Sequence, residues 1–125
     1  MNYKLQDITE NVIGAAIHVH RELGPGLLES AYQECLNYLL IKDGLSVERE
    51  KPIPVKFEEV SLDCGYRIDL LVENCLVLEL KSVERLQPIH TAQVLSYLKL
   101  GNYNVGLLLN FNVTLMKRGI KRIVN

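Results

Sequence analysis

The chain lacks several features, and each absence removes a class of function. No apolar run approaches the ~20 residues needed to cross a bilayer as a helix, so a helical membrane protein is excluded. The opening MNYKLQDITE has no charged-then-apolar layout of a secretory leader, which predicts a cytoplasmic protein. Cysteine is sparse: Cys35, Cys64 and Cys75 are odd in number, widely spaced and never in a CxxC pair. They form neither a disulfide framework nor a zinc site and read as small packing residues. Charge of one sign is also missing. The net charge is −1, so no overall basic field announces a nucleic-acid partner. There are no repeats, linkers or low-complexity segments, which predicts one domain over residues 1–125.

What is present is an ordinary globular mixture, 48% hydrophobic and 23% charged. A chain of 125 residues buries roughly two-thirds of its unfolded surface. The first periodic segment, 7–23, carries Ile8, Val12, Ala15, Ala16, Val19 and Leu23 at helical spacing, with Asp7 and Glu10 resembling a capping box. Gly24-Pro25-Gly26 stops it. A second helix is expected from Leu27 to Lys42, with Ala31, Cys35, Tyr38, Leu39 and Ile41 forming its apolar face and Gly44 following as its cap. Residues 46–57 alternate and contain prolines, which fits an edge strand. Segments 65–72 and 76–83 read as a strand pair joined by a tight turn at Glu73-Asn74. Pro88 opens a third helix, 88–100, and 104–111 is the continuous apolar run of a buried strand. Ile120, Ile123 and Val124 suggest a last short strand. The order ααβββαβ(β) predicts an α/β fold, a mixed central sheet flanked by helices.

The chemistry is concentrated where charge interrupts apolar strands. Asp69 breaks Ile68 and Leu70-Leu71-Val72, and Glu79 and Lys81 break Leu76-Val77-Leu78 and Leu80. One wet strand face would account for Glu79 and Lys81, but less well for Asp69, whose same-face neighbour Leu71 is apolar. If helices cover both faces, these charges are desolvated and need a partner or a metal. Two carboxylates and an ammonium suit a hard divalent cation, Mg²⁺ or Mn²⁺, over zinc. Directly opposed residues of an antiparallel pair share a face. A two-residue turn at 73–74 would pair Asp69 with Leu78 and send Glu79 to the other side. A three-residue turn at 73–75 would pair Asp69 with Glu79, so a shared site requires the odd turn or a bulge.

Asp69 followed ten positions later by Glu79-Leu80-Lys81 resembles the D…ExK signature of the PD-(D/E)XK nuclease superfamily. Gly26-Leu27-Leu28-Glu29-Ser30-Ala31-Tyr32 is similar to the GxxExxY motif of one bacterial and archaeal branch, as are LGPGLLESAY, YRIDLLVEN, VLELKSVERL and the ending GIKRIVN. The resemblance implies a restriction-endonuclease-like core and a metal-dependent nuclease acting on DNA or RNA with Mg²⁺ or Mn²⁺. It implies that Asp69, Glu79 and the Leu80 carbonyl hold the metal, with Glu29 completing the set. Lys81 would orient the attacking water and steady developing charge. Gln93 and Tyr97 match a Q-x-x-x-Y pattern and lie on one helix face, which implies contact with substrate phosphate or with groups that support the metal ligands. A homo-oligomer is compatible with this reading.

Other residues carry blander alternatives. His18 and His20 lie on different helix faces and read as surface or packing groups. His90, in the first turn of the third helix, has a phosphate contact and a plain surface role open to it. Tyr32 reads as a packing residue that positions Glu29. Lys117, Arg118, Lys121 and Arg122 form either a solvated tail or a phosphate-contacting edge. The alternative to a working nuclease is a catalytically inactive nucleic-acid-binding or protein-interaction module that keeps the fold; a purely structural subunit is a weaker third.

Overall fold

A computed structural model describes residues 4–125. Met1, Asn2 and Tyr3, which belong to the N-terminal stretch read above for a leader, lie outside the described residues. The elements in chain order are α1 (Leu5–Leu23), α2 (Glu29–Lys42), β1 (Val47–Pro52), β2 (Val55–Phe57), β3 (Val60–Leu62), β4 (Arg67–Val72), β5 (Leu76–Lys81), α3 (Pro88–Gly101), β6 (Val105–Asn110), a 3₁₀ turn (Met116–Gly119) and β7 (Ile120–Val124). Five strands form one mixed sheet in the order β1-β4-β5-β6-β7, and β2 and β3 form a separate hairpin. Only β5 and β6 run parallel, joined by α3; the other neighbours are antiparallel. This is the α/β architecture with helices on both sheet faces that the sequence predicts.

Alternation along the strands divides the core in two. Leu70, Val72, Leu76, Leu78, Leu80, Leu107 and Leu109 point toward α1 and α2. Leu71, Val77, Leu108 and Ile123 point toward Val94, Tyr97 and Leu98 of α3. Strands β5 and β6 are therefore buried on both sides, which is why β6 reads as a continuous apolar run and β5 as one broken by Glu79 and Lys81. No helix among the described residues is long and apolar enough to cross a membrane.

Several local expectations are corrected. The first helix begins at Leu5, with Lys4 in extended conformation as its cap and no side-chain capping bond. Asp7 lies inside the first turn, where its charge meets the positive helix end instead of closing a box. The second helix starts two residues later than expected because Leu28 is extended (φ −70°, ψ 152°). Its buried stripe is Tyr32, Leu36 and Leu40, the i, i+4 row facing the sheet, while Tyr38 and Ile41 are exposed. The single edge strand 46–57 is two strands: β1 ends at Pro52, which cannot donate to a ladder, and β2 leaves the sheet to pair with the short β3.

The connection between α1 and α2 is fixed from inside. Gly24 (φ 70°, ψ −176°) and Gly26 (φ 97°) take conformations that disfavour a side chain. The Tyr32 ring is fully buried and stacks on Phe111 with centroids 4.5 Å apart. Its hydroxyl donates to the Gly24 carbonyl at 2.6 Å and accepts from the Leu27 amide at 3.1 Å. One phenol thus closes the turn and sets where α2, and Glu29 at its first position, begins. Tyr32→Phe keeps the stacking but leaves both backbone groups without that partner. It should cost about 1–3 kcal/mol of folding stability by urea titration, the range for stranding buried polar groups; an unchanged midpoint would show that the turn is held by its glycines alone.

Candidate active site

The turn after β4 decides the site. Glu73 and Asn74 both adopt left-handed conformations (φ 51° and 55°), and Cys75 completes a three-residue connection before Leu76. Pairing then runs Val72–Leu76, Leu71–Val77 and Leu70–Leu78, which sets Asp69 opposite Glu79 on the α3 side of the sheet. The two-residue alternative, with its Asp69–Leu78 pair, does not occur.

At this level the backbone ladder stops and the side chains take over. The Asp69 amide donates to Glu79 Oε1 at 3.1 Å, and the Leu80 amide donates to Asp69 Oδ2 at 2.8 Å. Each carboxylate occupies the backbone donor of the opposite strand. Among the described residues, Asp69 Oδ1 and Glu79 Oε2 have no protein hydrogen-bond donor. Glu79 is only 4% exposed. Burial, ahead of the mutual repulsion expected for paired carboxylates, drives both groups toward the protonated form. Asp69 is pushed up to about 6, offset by the Leu80 amide and Lys81 and aggravated by Glu50 and Glu29. Glu79 is pushed up to about 8 by burial and then by Asp69.

Lys81 lies two residues beyond Glu79 on the same face and lowers both carboxyls by its charge. Among the described residues it makes no salt bridge with either. Its strand end is held by Asn110, a buried residue opposite it on β6. The Asn110 side chain accepts from the Val83 amide at 3.1 Å and donates to the Val83 carbonyl at 3.0 Å. The chain returns so tightly here that a Cβ on Gly119 would lie 2.0 Å from the Asn110 carbonyl oxygen. Glu29 caps the same region from α2: its Oε1 faces the Ser82 amide at 3.4 Å, and Ser82 Oγ donates to the Leu27 carbonyl at 2.7 Å. Gln93 donates to the Tyr97 hydroxyl at 3.1 Å, and burial followed by the negative charge of Glu79 raises the Tyr97 pKa.

The remaining candidates separate. His20 is buried with Nε2 2.7 Å from the Val113 carbonyl, and His18 faces Glu22 on the surface. His90 accepts from the Gln87 amide through Nδ1, closing a capping box at the start of α3. Of the basic C-terminal residues, Lys121 pairs with Leu108, which pairs with Glu79, so it shares the carboxylates' row and face; Arg122 faces the opposite side.

Sequence reading missed Glu50. The β1–β4 register sets it level with Asp69, and its negative charge acts on both Asp69 and Glu79. Glu50 has φ 51° within a strand, a conformation that strains a side-chain-bearing residue. Gln33 of α2 donates to its Oε1 at 3.0 Å and to the Asp69 carbonyl at 3.4 Å. In the sequence it is one of several charges in VEREK, and only the register distinguishes it.

No three His, Cys, Asp or Glu side chains among the described residues form a ready metal cage. The donor set still fits a hard divalent ion, since Mg²⁺ is commonly held by one or two carboxylates and completes its shell with water and substrate phosphate. Asp69 and Glu79 each offer one uncommitted oxygen for that purpose. A profile of the PD-(D/E)XK nuclease superfamily matches residues 6–123. The chain belongs to that superfamily. No curated protein and no solved structure matches it.

The raised carboxyls make metal-free stability depend on pH. A carboxyl whose pKa is higher folded than unfolded binds more protons in the folded state, so stability falls as pH rises. The favourable term is full below the unfolded value of about 4 and is lost as pH passes the folded values, about 6 for Asp69 and about 8 for Glu79. In a chelator, the wild-type melting temperature should fall over that window, and Glu79→Gln should flatten the fall. Asp69→Asn, which keeps an acceptor for the Leu80 amide, should match or exceed wild-type stability at neutral pH. An Asp69→Asn protein that is much less stable would make the aspartate a structural residue.

Proposed function

We propose that this chain is a metal-dependent nuclease that hydrolyses phosphodiester bonds of DNA or RNA, with Asp69 and Glu79 as its metal-binding carboxylates. The observation that carries the reading is their cross-strand exchange, which holds two desolvated acids side by side with Lys81 two residues on. The motif GLLESAY at 26–32 further supports placement in the GxxExxY branch.

Bound Mg²⁺ or Mn²⁺ would polarise a phosphoryl oxygen and acidify a water. Asp69 and Glu79 would hold it through their free oxygens, with the Leu80 carbonyl and Glu29 as further donors. The ammonium of Lys81 orients the attacking water and offsets negative charge developing on the phosphorus oxygens. Asn110 fixes the backbone beyond Lys81, and Tyr32 fixes where Glu29 starts. Gln93 and Tyr97 stand on the α3 side to meet substrate, and Lys121 extends the same face with positive charge. The enzyme would act in the cytoplasm.

A catalytically inactive binding module with the same fold is the second reading, favoured by the lack, among the described residues, of three grouped side chains ready to hold a metal. A cleavage screen with single- and double-stranded DNA and RNA in Mg²⁺ or Mn²⁺, beside ion titration by calorimetry, separates the two. Lys81→Ala should lose on the order of 10²–10³ in rate while keeping most ion affinity, since its contribution is made in the transition state. Glu79→Ala should lose both. Undiminished cleavage by Lys81→Ala would remove the lysine from the mechanism. A wild type that cleaves nothing and binds no divalent ion would favour the inactive module.

A further inference from the structure

Beside the carboxylates, α3, Val55 at the start of β2 and Tyr66 just ahead of β4 line a groove of about 480 Å³. Val55, Tyr66, Ile89, Gln93, Ser96 and Tyr97 make most of its wall. Tyr97 belongs both to this wall and to the electrostatic surroundings of Glu79 and Asp69, so the groove adjoins the proposed reaction centre. We propose that this groove receives an unstacked nucleobase of the nucleotide next to the bond held at Asp69 and Glu79, so that the substrate is a single strand or a locally opened duplex. The proposal rests on the nuclease reading and deepens it.

The character of the wall selects the ligand. It contains no Asp, Glu, Lys or Arg, and its one imidazole, His90, is tied through Nδ1 to the Gln87 amide, so the wall carries no fixed charge for a phosphate or a charged side chain. It does offer a ring face and hydrogen-bonding groups. Tyr66 is 45% exposed, and its ring sits 6.1 Å from that of Tyr97 at 59°. Ile89 is 69% exposed beside it, and the Ser96 hydroxyl and Gln93 amide lie on the same wall. A planar, neutral heteroaromatic ring with polar edges matches that combination, because every base has a face that stacks on an aromatic side chain.

The hairpin supports the same occupant. Its register places Val55, Phe57, Val60 and Leu62 on one face, with Lys56 and Ser61 on the other. Phe57, Val60 and Leu62 remain exposed on that apolar face. Val55 joins the face to the groove, which supplies an apolar path for bases to either side. Phosphates would instead follow Lys81 and Lys121, which stand two positions apart along the same sheet face. Bases inside an intact duplex are stacked on one another and cannot enter a recess of this kind.

Fluorescence titration with oligonucleotides carrying one 2-aminopurine tests the proposal, using the full chain with Lys81→Ala to slow turnover in Mg²⁺. The single strand should bind more tightly than the matched duplex. Tyr66→Ala should weaken single-strand binding roughly 5- to 100-fold, the range for losing one base–aromatic stack. Tyr66→Phe should restore it, and removing the base at the responsive position should mimic Tyr66→Ala. Divalent-ion affinity should stay constant throughout. Equal single-strand affinity for Tyr66→Ala, or a duplex bound as tightly as the single strand, overturns the proposal. So does a dimer that Tyr66→Ala or Phe57→Ser dissociates without any effect of the base, which would make the apolar face a contact between copies. If the wild type cleaves duplex and Tyr66→Ala cleaves it equally well, the groove assignment fails and the nuclease reading stands. If Tyr66-dependent single-strand binding occurs but the wild type cleaves nothing in any metal, the groove stands and the nuclease reading fails.

Discussion

Two hydrogen bonds hold the centre of this structure together: the Asp69 amide to Glu79 and the Leu80 amide to Asp69. They occur where the β4–β5 ladder would otherwise continue. Buried amides must find acceptors, and here the acceptors are carboxylates, so the strands can part without leaving those donors unpaired. The same exchange holds the two acids close to each other, with Glu79 buried and Asp69 partly so. Proton affinity and strand pairing therefore depend on one arrangement, and so would the metal affinity proposed for it. A change that restores an ordinary ladder would remove the site, and a change that removes an acid would leave an amide to be satisfied differently.

Such a site can be maintained because its surroundings are rigid. Apolar contacts cover β5 on both faces up to Glu79, which limits any movement of the strand toward solvent. Asn110 then anchors the backbone beyond Lys81, and the close approach at Gly119 fixes the Asn110 carbonyl in turn. On the other side, Tyr32 and Phe111 connect the start of α2 to the end of β6. The desolvation that raises both carboxyls is thus produced by the packing that stabilises the sheet. Burial that is unfavourable for two negative charges becomes favourable when a divalent cation neutralises them, because opposite charges attract more strongly where water is excluded.

The sequence revealed the elements that depend on local chemistry. Helical spacing in α1, Pro88 at the start of α3 and the apolar run of β6 all correspond to elements of the fold, because each reflects a period or a backbone restriction within one segment. Asp69, Glu79 and Lys81 stood out because charge in a buried strand conflicts with its apolar neighbours. What depended on tertiary pairing was not legible. The turn length at 73–75 decides whether two acids share a face, yet Glu73, Asn74 and Cys75 are compatible with either turn. Glu50 becomes distinctive only when β1 is set beside β4. β1 and β2 read as one edge strand because both prolines, Pro52 and Pro54, suit an edge as well as a break, and β3, only three residues long, gives no signal of its own.

The distribution of charge gives the sheet face two regions with different chemistry. Along one row, Asp69 and Glu79 lead through Leu108 to Lys121, with Glu50 level with Asp69 on β1. That row changes from negative to positive within four strands, a separation of about 4.8 Å per strand. A polyanion is repelled by its acidic end unless a cation is bound there, and is attracted by its basic end in either state. Next to the row, the wall of Tyr66, Ile89 and Val55 is neutral and apolar. The near-zero net charge of the chain therefore conceals a local division: a row that runs from acidic to basic lies beside a recess without Asp, Glu, Lys or Arg. Composition alone averages these regions to −1, and only the strand register separates them.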